Sequence, residues 1–177
     1  MSYVELQCAS YFSLLQAVSA PDDLFAQAKE LGMDALAIAD RNTLAGMVRA
    51  HVAAEEHGVR LIIGCRLDLR DGMSLLVYPI DRGGYANLCR LLSLGKTRAG
   101  KGECDIDWAD VEDFNEGLLA ILIPDEADAL CAIRARKVKA LFADRAYMAL
   151  SLRFRQNDHM RLHDLSNLAA KHRVPTV

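Results

Sequence analysis

Short apolar runs alternate with segments of helical periodicity along most of the chain. The apolar runs that predict buried strands cover residues 4–8, 35–39, 61–63, 118–123 and 146–152. The segments that predict helices cover residues 21–31, 43–57, 84–94, 108–114, 125–136 and 160–172. Because crossover helices connect parallel strands, this alternation predicts an α/β protein with a largely parallel sheet.

Local signals support the helix boundaries. Pro21 suits the first turn of a helix, and the two aspartates that follow it complement the positive end of the helix dipole. Gly32 predicts the end of that helix. Thr43 is the predicted N-cap of the next helix, and Gly58 is its predicted end.

One hairpin interrupts the alternation. Asp71-Gly72 separates the apolar runs 66–69 and 74–78, and Asp-Gly between two such runs favours a tight β-turn. The pattern as a whole predicts a parallel barrel related to the TIM barrel with one hairpin excursion. A complete barrel of that kind takes about 250 residues, so 177 residues predict an incomplete one. Residues 174–177 predict the beginning of a further strand.

Composition restricts the function classes. A net charge of −3 argues against a domain whose main task is gripping phosphate backbones. No apolar run reaches the length of about 20 residues that spans a bilayer, and no secretory signal is present, so we expect a cytoplasmic protein without a membrane partner. The five cysteines contain no C-x-x-C pair, so neither a zinc knuckle nor a disulfide framework is predicted.

Several segments, in this order, resemble one known family. They are residues 4–15, Asp81-Arg82-Gly83-Gly84-Tyr85-Ala86-Asn87-Leu88, Lys101-Gly102-Glu103, residues 115–120 and Val174-Pro175-Thr176-Val177. The sequence resembles the PHP (polymerase and histidinol phosphatase) domain at the N-terminus of bacterial DNA polymerase III alpha subunits, especially those of the error-prone branch. The resemblance implies one PHP-like domain over residues 1–177, folded as an incomplete TIM-like (β/α)7 barrel that stops before its last strand or strands.

The first metal-binding motif of that family is His-x-His at the end of the first strand, where side chains two apart share a face. The corresponding residues here are Gln7 and Ala9. Alanine cannot bind a metal, and an amide oxygen is a poor substitute for imidazole.

The next two family motifs have also changed. Asp-His after the second strand is Asp40-Arg41 here, and Arg66 stands where the family has a glutamate after the third strand. A guanidinium cannot be a ligand, and at about 4 Å it would repel a dication by several kcal/mol. The resemblance therefore implies a degenerate metal site at Gln7, Ala9, Asp40, Arg41 and Arg66, with no catalytic residue and no metal. Two alternatives follow for the remaining polar groups: Asp40 is a structural carboxylate paired with Arg41 or Arg66, or the two arginines form an anion-binding spot.

The function implied by the resemblance is that of an inert, structural domain of an error-prone DNA polymerase. The parent enzyme would carry out DNA-directed DNA synthesis with Mg²⁺, while this part would need no cofactor. The implied partners are the remaining polymerase domains, DNA through the parent chain, and a protein of the replication or repair machinery. The rival function is a metal-dependent phosphoesterase that uses Asp40 and ligands beyond Val177; a third is a free-standing anion-binding module.

Three weaker signals predict ordinary structure. Residues 95–102 nearly match a P-loop, but Gly102 replaces the required hydroxyl and a helix precedes the motif, so a basic surface loop is expected. His159 and His163 lack the glutamate of a His-Glu-x-x-His motif and predict a solvated helix face. Residues 153–155 set one aromatic between two arginines and predict the end of a strand rather than a nucleic-acid platform.

Overall fold

The computed structural model describes residues 3–177, in which six strands form one sheet in the order of the sequence. The strands are β1 (Glu5–Cys8), β2 (Ala35–Arg41), β3 (Arg60–Asp68), β4 (Ser74–Pro79), β5 (Leu118–Ile123) and β6 (Ala146–Met148). The sheet curls into an open half-barrel, the incomplete TIM-like barrel that the sequence predicts.

The predicted hairpin is present, but β4 does not leave the sheet: it pairs with a strand on each side. The chain turns at Asp71-Gly72, where Gly72 adopts a φ of 76°, and β4 then pairs antiparallel with β3. On its other side β4 pairs antiparallel with β5 from Ser74–Ile123 to Pro79–Leu118. The other three pairs, β1–β2, β2–β3 and β5–β6, are parallel. The hairpin therefore places β4 in the middle of the sheet and joins two parallel parts.

Within residues 3–177, six α-helices cover the outer face of the sheet. They are α1 (Pro21–Glu30), α2 (Met47–His57), α3 (Arg82–Arg98), α4 (Trp108–Phe114), α5 (Ala129–Phe142) and α6 (Asp158–Lys171). Helices α1 and α2 pack Phe25, Met47 and Ala50 against Leu36 and Ile38 of β2. The other four helices and strands β3–β6 form a second and larger core.

Several predicted boundaries differ from the observed ones because a different residue caps each helix. Gly46, not Thr43, is the N-cap of α2, and the Thr43 hydroxyl instead accepts a bond from the Ala45 backbone N–H. Asp128 caps α5 by accepting from the Cys131 backbone N–H at 2.7 Å, so this helix starts later than 125. Helix α3 starts after Asp81 and is longer than predicted.

The inner face of the half-barrel is lined by small, aliphatic and aromatic side chains. Ala37 and Ala39 of β2 lie in a cluster with Leu76, Tyr78 and Ile121 of the middle strands. A residue larger than glycine at position 64 would meet the Tyr78 ring at 2.5 Å. No helix in the described part of the chain is long and apolar enough to cross a membrane.

The sheet has the start of another parallel strand beside β6. Met148 and Thr176 form an isolated parallel bridge, and the backbone N–H of Val177 donates to the Met148 carbonyl at 3.0 Å. The predicted strand at 174–177 is thus represented by this one bridge. Strand β6 ends at Met148, earlier than the predicted residue 152, so residues 153–155 lie in a loop rather than at the end of a strand.

Candidate functional site at the carboxyl ends of the strands

Asp40 lies at the end of β2 and is completely buried. Its Oδ1 accepts hydrogen bonds from the Ser10 backbone N–H at 2.7 Å and from the Ser13 hydroxyl at 2.7 Å. Its Oδ2 accepts from the Ser10 hydroxyl at 2.8 Å. Both carboxylate oxygens therefore have donors from the loop that follows β1.

These bonds fix the β1–α1 loop, residues 9–20. The Ser13 hydroxyl oxygen also accepts from the Arg41 backbone N–H at 3.0 Å, which links the loop to β2. The Tyr11 backbone N–H donates to the Ser19 carbonyl at 2.9 Å and closes the loop at its base. Asp40 thus holds the loop through Ser10 and Ser13, and not through the pairing with Arg41 or Arg66 that one alternative predicts.

The two arginines instead converge on Asp68 at the end of β3. Arg66 Nε lies 2.9 Å from Asp68 Oδ1, and Arg41 forms an ion pair with Oδ2 of the same carboxylate. The Ser74 hydroxyl donates to Asp68 Oδ1 at 2.6 Å. Burial alone would raise the pKa of Asp68, but the bonds from Ser74 and Arg66 and the charges of both arginines together lower it below its usual value.

The remaining two degenerate positions lie on or just after β1. Gln7 lines a cavity of about 520 Å³ together with Arg66, Ser74 and Arg153, whereas Arg41 lines a different and larger cleft. Ala9 is half-buried directly before Ser10. The sheet register places Arg41 beside Arg66, so the structure brings these two residues together, whereas Gln7 and Arg41 line different cavities.

The residues at these positions do not fit a divalent metal. Asp40 is the one carboxylate among them, and its oxygens are already hydrogen-bonded to serines. The two guanidiniums add positive charge where a cation would have to bind. Within residues 3–177 no group of three or more His, Cys, Asp or Glu side chains is arranged to hold a metal ion.

The larger cleft, which we call the basic cleft, has a volume of about 1000 Å³ and lies between the β1–α1 loop and the end of α3. Five cationic side chains line it against three carboxylates. The cations are Arg41, Arg70, Lys96, Arg98 and Lys101, and the carboxylates are Asp68, Glu103 and Asp105. The predicted basic loop at 95–102 is in fact helical as far as Arg98, and only the residues after it are irregular.

Sequence reasoning missed the residues that organise this site. Asp68 follows Arg66 by two residues on the same strand, so the period-2 rule places both side chains on one face and was a usable signal. The resemblance included Ser10 and Ser13 as part of a frame, but no local pattern connects them to Asp40, which is 27–30 residues away. Such long-range partners are set by the fold.

The fold, with its strand-end residues gathered at the carboxyl ends of parallel strands, is that of a PHP-type barrel. The PHP domain family matches residues 5–157, and the chain belongs to this family. It is 58% identical over 175 residues to error-prone DNA polymerase 1 of Agrobacterium fabrum, and 54% identical over 177 residues to error-prone DNA polymerase 2 of Rhizobium meliloti. The matches cover 99% and 100% of this chain but 16% of each polymerase.

Solved structures show the same fold at low sequence identity. A metal-dependent phosphoesterase from Bifidobacterium adolescentis superposes with a TM-score of 0.70 at 16% identity, covering 99% of this chain and 86% of that one. An amidohydrolase from Chromobacterium violaceum, whose structure contains sulfate and no metal, superposes with a TM-score of 0.64 at 15% identity, covering 98% of this chain and 84% of that one.

Proposed function

We propose that this chain is the N-terminal, catalytically inert PHP domain of an error-prone DNA polymerase. The parent enzyme would carry out Mg²⁺-dependent, DNA-directed DNA synthesis during damage-tolerant replication and repair. The support is the identity of 52–58% to several error-prone polymerases across nearly the whole chain. Within that enzyme the domain would act as a scaffold for the remaining polymerase domains, and DNA would be bound through the parent.

The occupied carboxylate of Asp40 is the observation that best supports inertness. A metallohydrolase needs ligands with free lone pairs and a coordination position that is open to water. Here Ser10 and Ser13 donate to both oxygens of Asp40, and the adjacent positions carry Arg41 and Arg66. This arrangement disfavours the rival phosphoesterase, although the fold is shared with a phosphoesterase.

The test uses the full-length polymerase that contains this chain. We expect primer extension with Mg²⁺, no release of phosphate from p-nitrophenyl phosphate with Mn²⁺ or Zn²⁺, and no ion retained at the five degenerate positions after dialysis. The matched variant is Asp40→Ala, and Glu56→Gln on the exposed side of α2 is the control. Phosphate release that is lost in Asp40→Ala but kept in Glu56→Gln would show that the site is a working hydrolase.

We further propose that Arg41 and Arg66 bind a small anion. Their side chains are 47% and 39% exposed, and one carboxylate, Asp68, is shared between them, so the group keeps a net positive charge. The amidohydrolase with bound sulfate gives a precedent for an anion in a metal-free relative of this fold. Sulfate titration followed by NMR should shift the Arg41 and Arg66 signals and leave those of exposed Arg136 unchanged, and in the Arg66→Gln protein the shift of the Arg41 signals should be lost. If the signals of Arg66 and Arg136 shifted equally, the shifts would reflect ionic strength alone and would contradict an anion site.

A further inference from the structure

The β1–α1 loop exposes three apolar side chains within five residues. Leu14, Leu15 and Val18 are 78%, 101% and 93% exposed, respectively. Single apolar residues on a surface are ordinary, but a cluster of large ones indicates a contact surface. No side chain of the described residues covers this cluster to any large extent.

The loop that carries these side chains is held in place. Its base is fixed by the bonds from Ser10 and Ser13 to Asp40, and the Gln16 backbone N–H donates to the Ser13 carbonyl at 2.9 Å. Leu15 adopts a φ of 63°, a left-handed conformation that non-glycine residues rarely adopt. The buried carboxylate thus positions the apolar cluster toward solvent, and a preorganised loop loses less conformational freedom when it binds a partner.

The basic cleft lies directly beside this cluster. Leu14 lines this cleft together with Lys96 and Lys101. Arg41, Arg70 and Arg98 are each paired with an aspartate, whereas no carboxylate of residues 3–177 lies within 4 Å of the ammonium group of Lys96 or Lys101. The charges that are left unpaired in the cleft are therefore mainly positive, so the cleft is complementary to carboxylates that accompany an apolar anchor.

We propose that the β1–α1 loop and the basic cleft form one docking surface for an acidic, apolar segment of the same polypeptide, outside residues 1–177. This inference rests on the proposed function, in which most of the polymerase lies outside this domain; the chain spans 16% of the length of its polymerase relatives. A nucleic acid would use the lysines but not the three apolar side chains, so a protein segment fits both parts of the surface.

The experiment uses the full-length polymerase with the photo-crosslinking residue p-benzoylphenylalanine in place of Leu14. After irradiation, mass spectrometry should find intramolecular crosslinks to a segment beyond residue 177 that combines Asp or Glu with apolar residues. The matched control places the same residue at Ile133, a half-exposed apolar position on α5 away from the loop. That position should give no crosslink to the same segment.

Charge reversal tests the role of the cleft. Lys101→Glu should lower the yield of the Leu14-site crosslink by about threefold or more, whereas Arg136→Glu on α5 should leave it unchanged. Crosslinks only between two copies, only to added DNA, or absent altogether would overturn the proposal. Primer extension by the same preparation separates these outcomes from a failure of the proposed function, since an active polymerase without the crosslink contradicts only the docking surface.

Discussion

Asp40 illustrates how one buried carboxylate can anchor a loop. In the described structure it accepts three hydrogen bonds from Ser10 and Ser13 in a fully buried position. A bond to a charged acceptor contributes about 1.5–3 kcal/mol, and removing the acceptor leaves the buried donors unsatisfied.

We therefore predict that Asp40→Ala lowers the free energy of unfolding by about 3–5 kcal/mol and that Asp40→Asn, which keeps one acceptor oxygen, lowers it by about half as much. Urea denaturation of the three proteins measures both values. Glu56→Gln, an exposed change without partners in the described structure, should stay within about 0.5 kcal/mol of the parent protein. Equal stability of Asp40→Ala and Glu56→Gln would mean that the serine bonds do not anchor the loop.

Asp68 makes the stability of the protein depend on pH in the acid range. Its pKa is lowered in the folded state, so its contribution to stability is present above the unfolded-state pKa of about 3.9 and is lost as the pH falls through the lower folded-state pKa. We predict that stability falls more steeply below about pH 4 in the parent protein than in Asp68→Asn. Unfolding by urea at a series of pH values measures this slope. Exposed Asp113→Asn should retain the parent slope, and an unchanged slope in Asp68→Asn would disprove the linkage.

The site positions could be predicted from the sequence only where the motif itself is local. Asp40, Arg41 and Arg66 follow predicted strands, and the structure places all three at strand ends. The pairing of Arg66 with Asp68 could have been predicted from the period-2 rule. The bonds of Asp40 to Ser10 and Ser13 and the pairing of Arg41 with Asp68 could not, because they depend on the fold and on the register of β2 on β3.

At the scale of elements, the backbone at the start of α3 lies very close to the backbone just before β5. A Cβ added to Gly84 would lie 2.0 Å from the Gly117 carbonyl oxygen, and Gly117 itself adopts a φ of 71°. Both glycines belong to segments that carry the family resemblance. Glycine is needed at these two positions because the two backbones approach too closely to leave room for a side chain.

We predict that Gly84→Ala lowers the free energy of unfolding by at least about 2 kcal/mol, because the clash is with backbone and cannot be relieved by a side-chain rotation. Thermal denaturation measures the loss. Gly100→Ala is the control, since its Cβ would meet only the end of the Glu103 side chain at 3.6 Å. A Gly84→Ala protein as stable as the Gly100→Ala protein would contradict this packing.

The loop between β6 and α6, residues 149–157, is held in place in the same way as the β1–α1 loop. The backbone N–H groups of Arg153 and Arg155 donate to Asp158 Oδ2 at 2.6 and 3.2 Å, and Arg161 pairs with the same carboxylate. Phe154, 94% exposed, projects from this loop. The β1–α1 loop and the loop at residues 149–157 are thus each anchored by one buried aspartate, and each exposes apolar side chains to solvent. Periodicity predicted α6 but gave no indication of this anchor, since Asp158 and Arg161 are both charged and yet buried.

At the scale of the whole molecule, the sheet has two edges. Strand β1 pairs on one side only, and β6 has the single bridge from Met148 to Thr176 on its outer side. Several side chains of the inner face, such as Leu6, Ile62 and Tyr147, are only partly buried. Open edges and exposed apolar faces favour association with other chains.

We propose that further strands close the barrel in the parent polymerase and predict that the 177-residue protein self-associates or is less stable than a protein extended through the next strand and helix of its relatives. Light scattering and thermal melts on both lengths test this. As a control for edge pairing, Tyr147→Lys should reduce association of the 177-residue protein. A monomer with the same melting temperature at both lengths would mean that the half-barrel is complete by itself.

The α/β class, the hairpin and nearly all elements were predictable from the sequence because each depends on local periodicity or turn chemistry. The place of β4 in the middle of the sheet was not, because the antiparallel pairing of β4 with β5 joins residues that are 39 (Pro79 and Leu118) to 49 (Ser74 and Ile123) positions apart in the sequence. Local patterns describe what a segment becomes, whereas its neighbours in a sheet depend on the competition among all strands.

The serine bonds of Asp40 also bear on the evolutionary history of the domain. Restoring histidines at Gln7, Ala9 and Arg41 and a glutamate at Arg66 would recreate the family's ligand types at the positions that lack them. It would also leave Asp68 without either of its arginines and would still require Asp40 to give up donors that now hold the β1–α1 loop. The intermediates that remove Arg41 or Arg66 would lose an ion pair with Asp68 before any metal could compensate for it. A reversal of the proposed loss of the metal site would therefore be disfavoured by selection, because these residues now stabilise the protein in a different way.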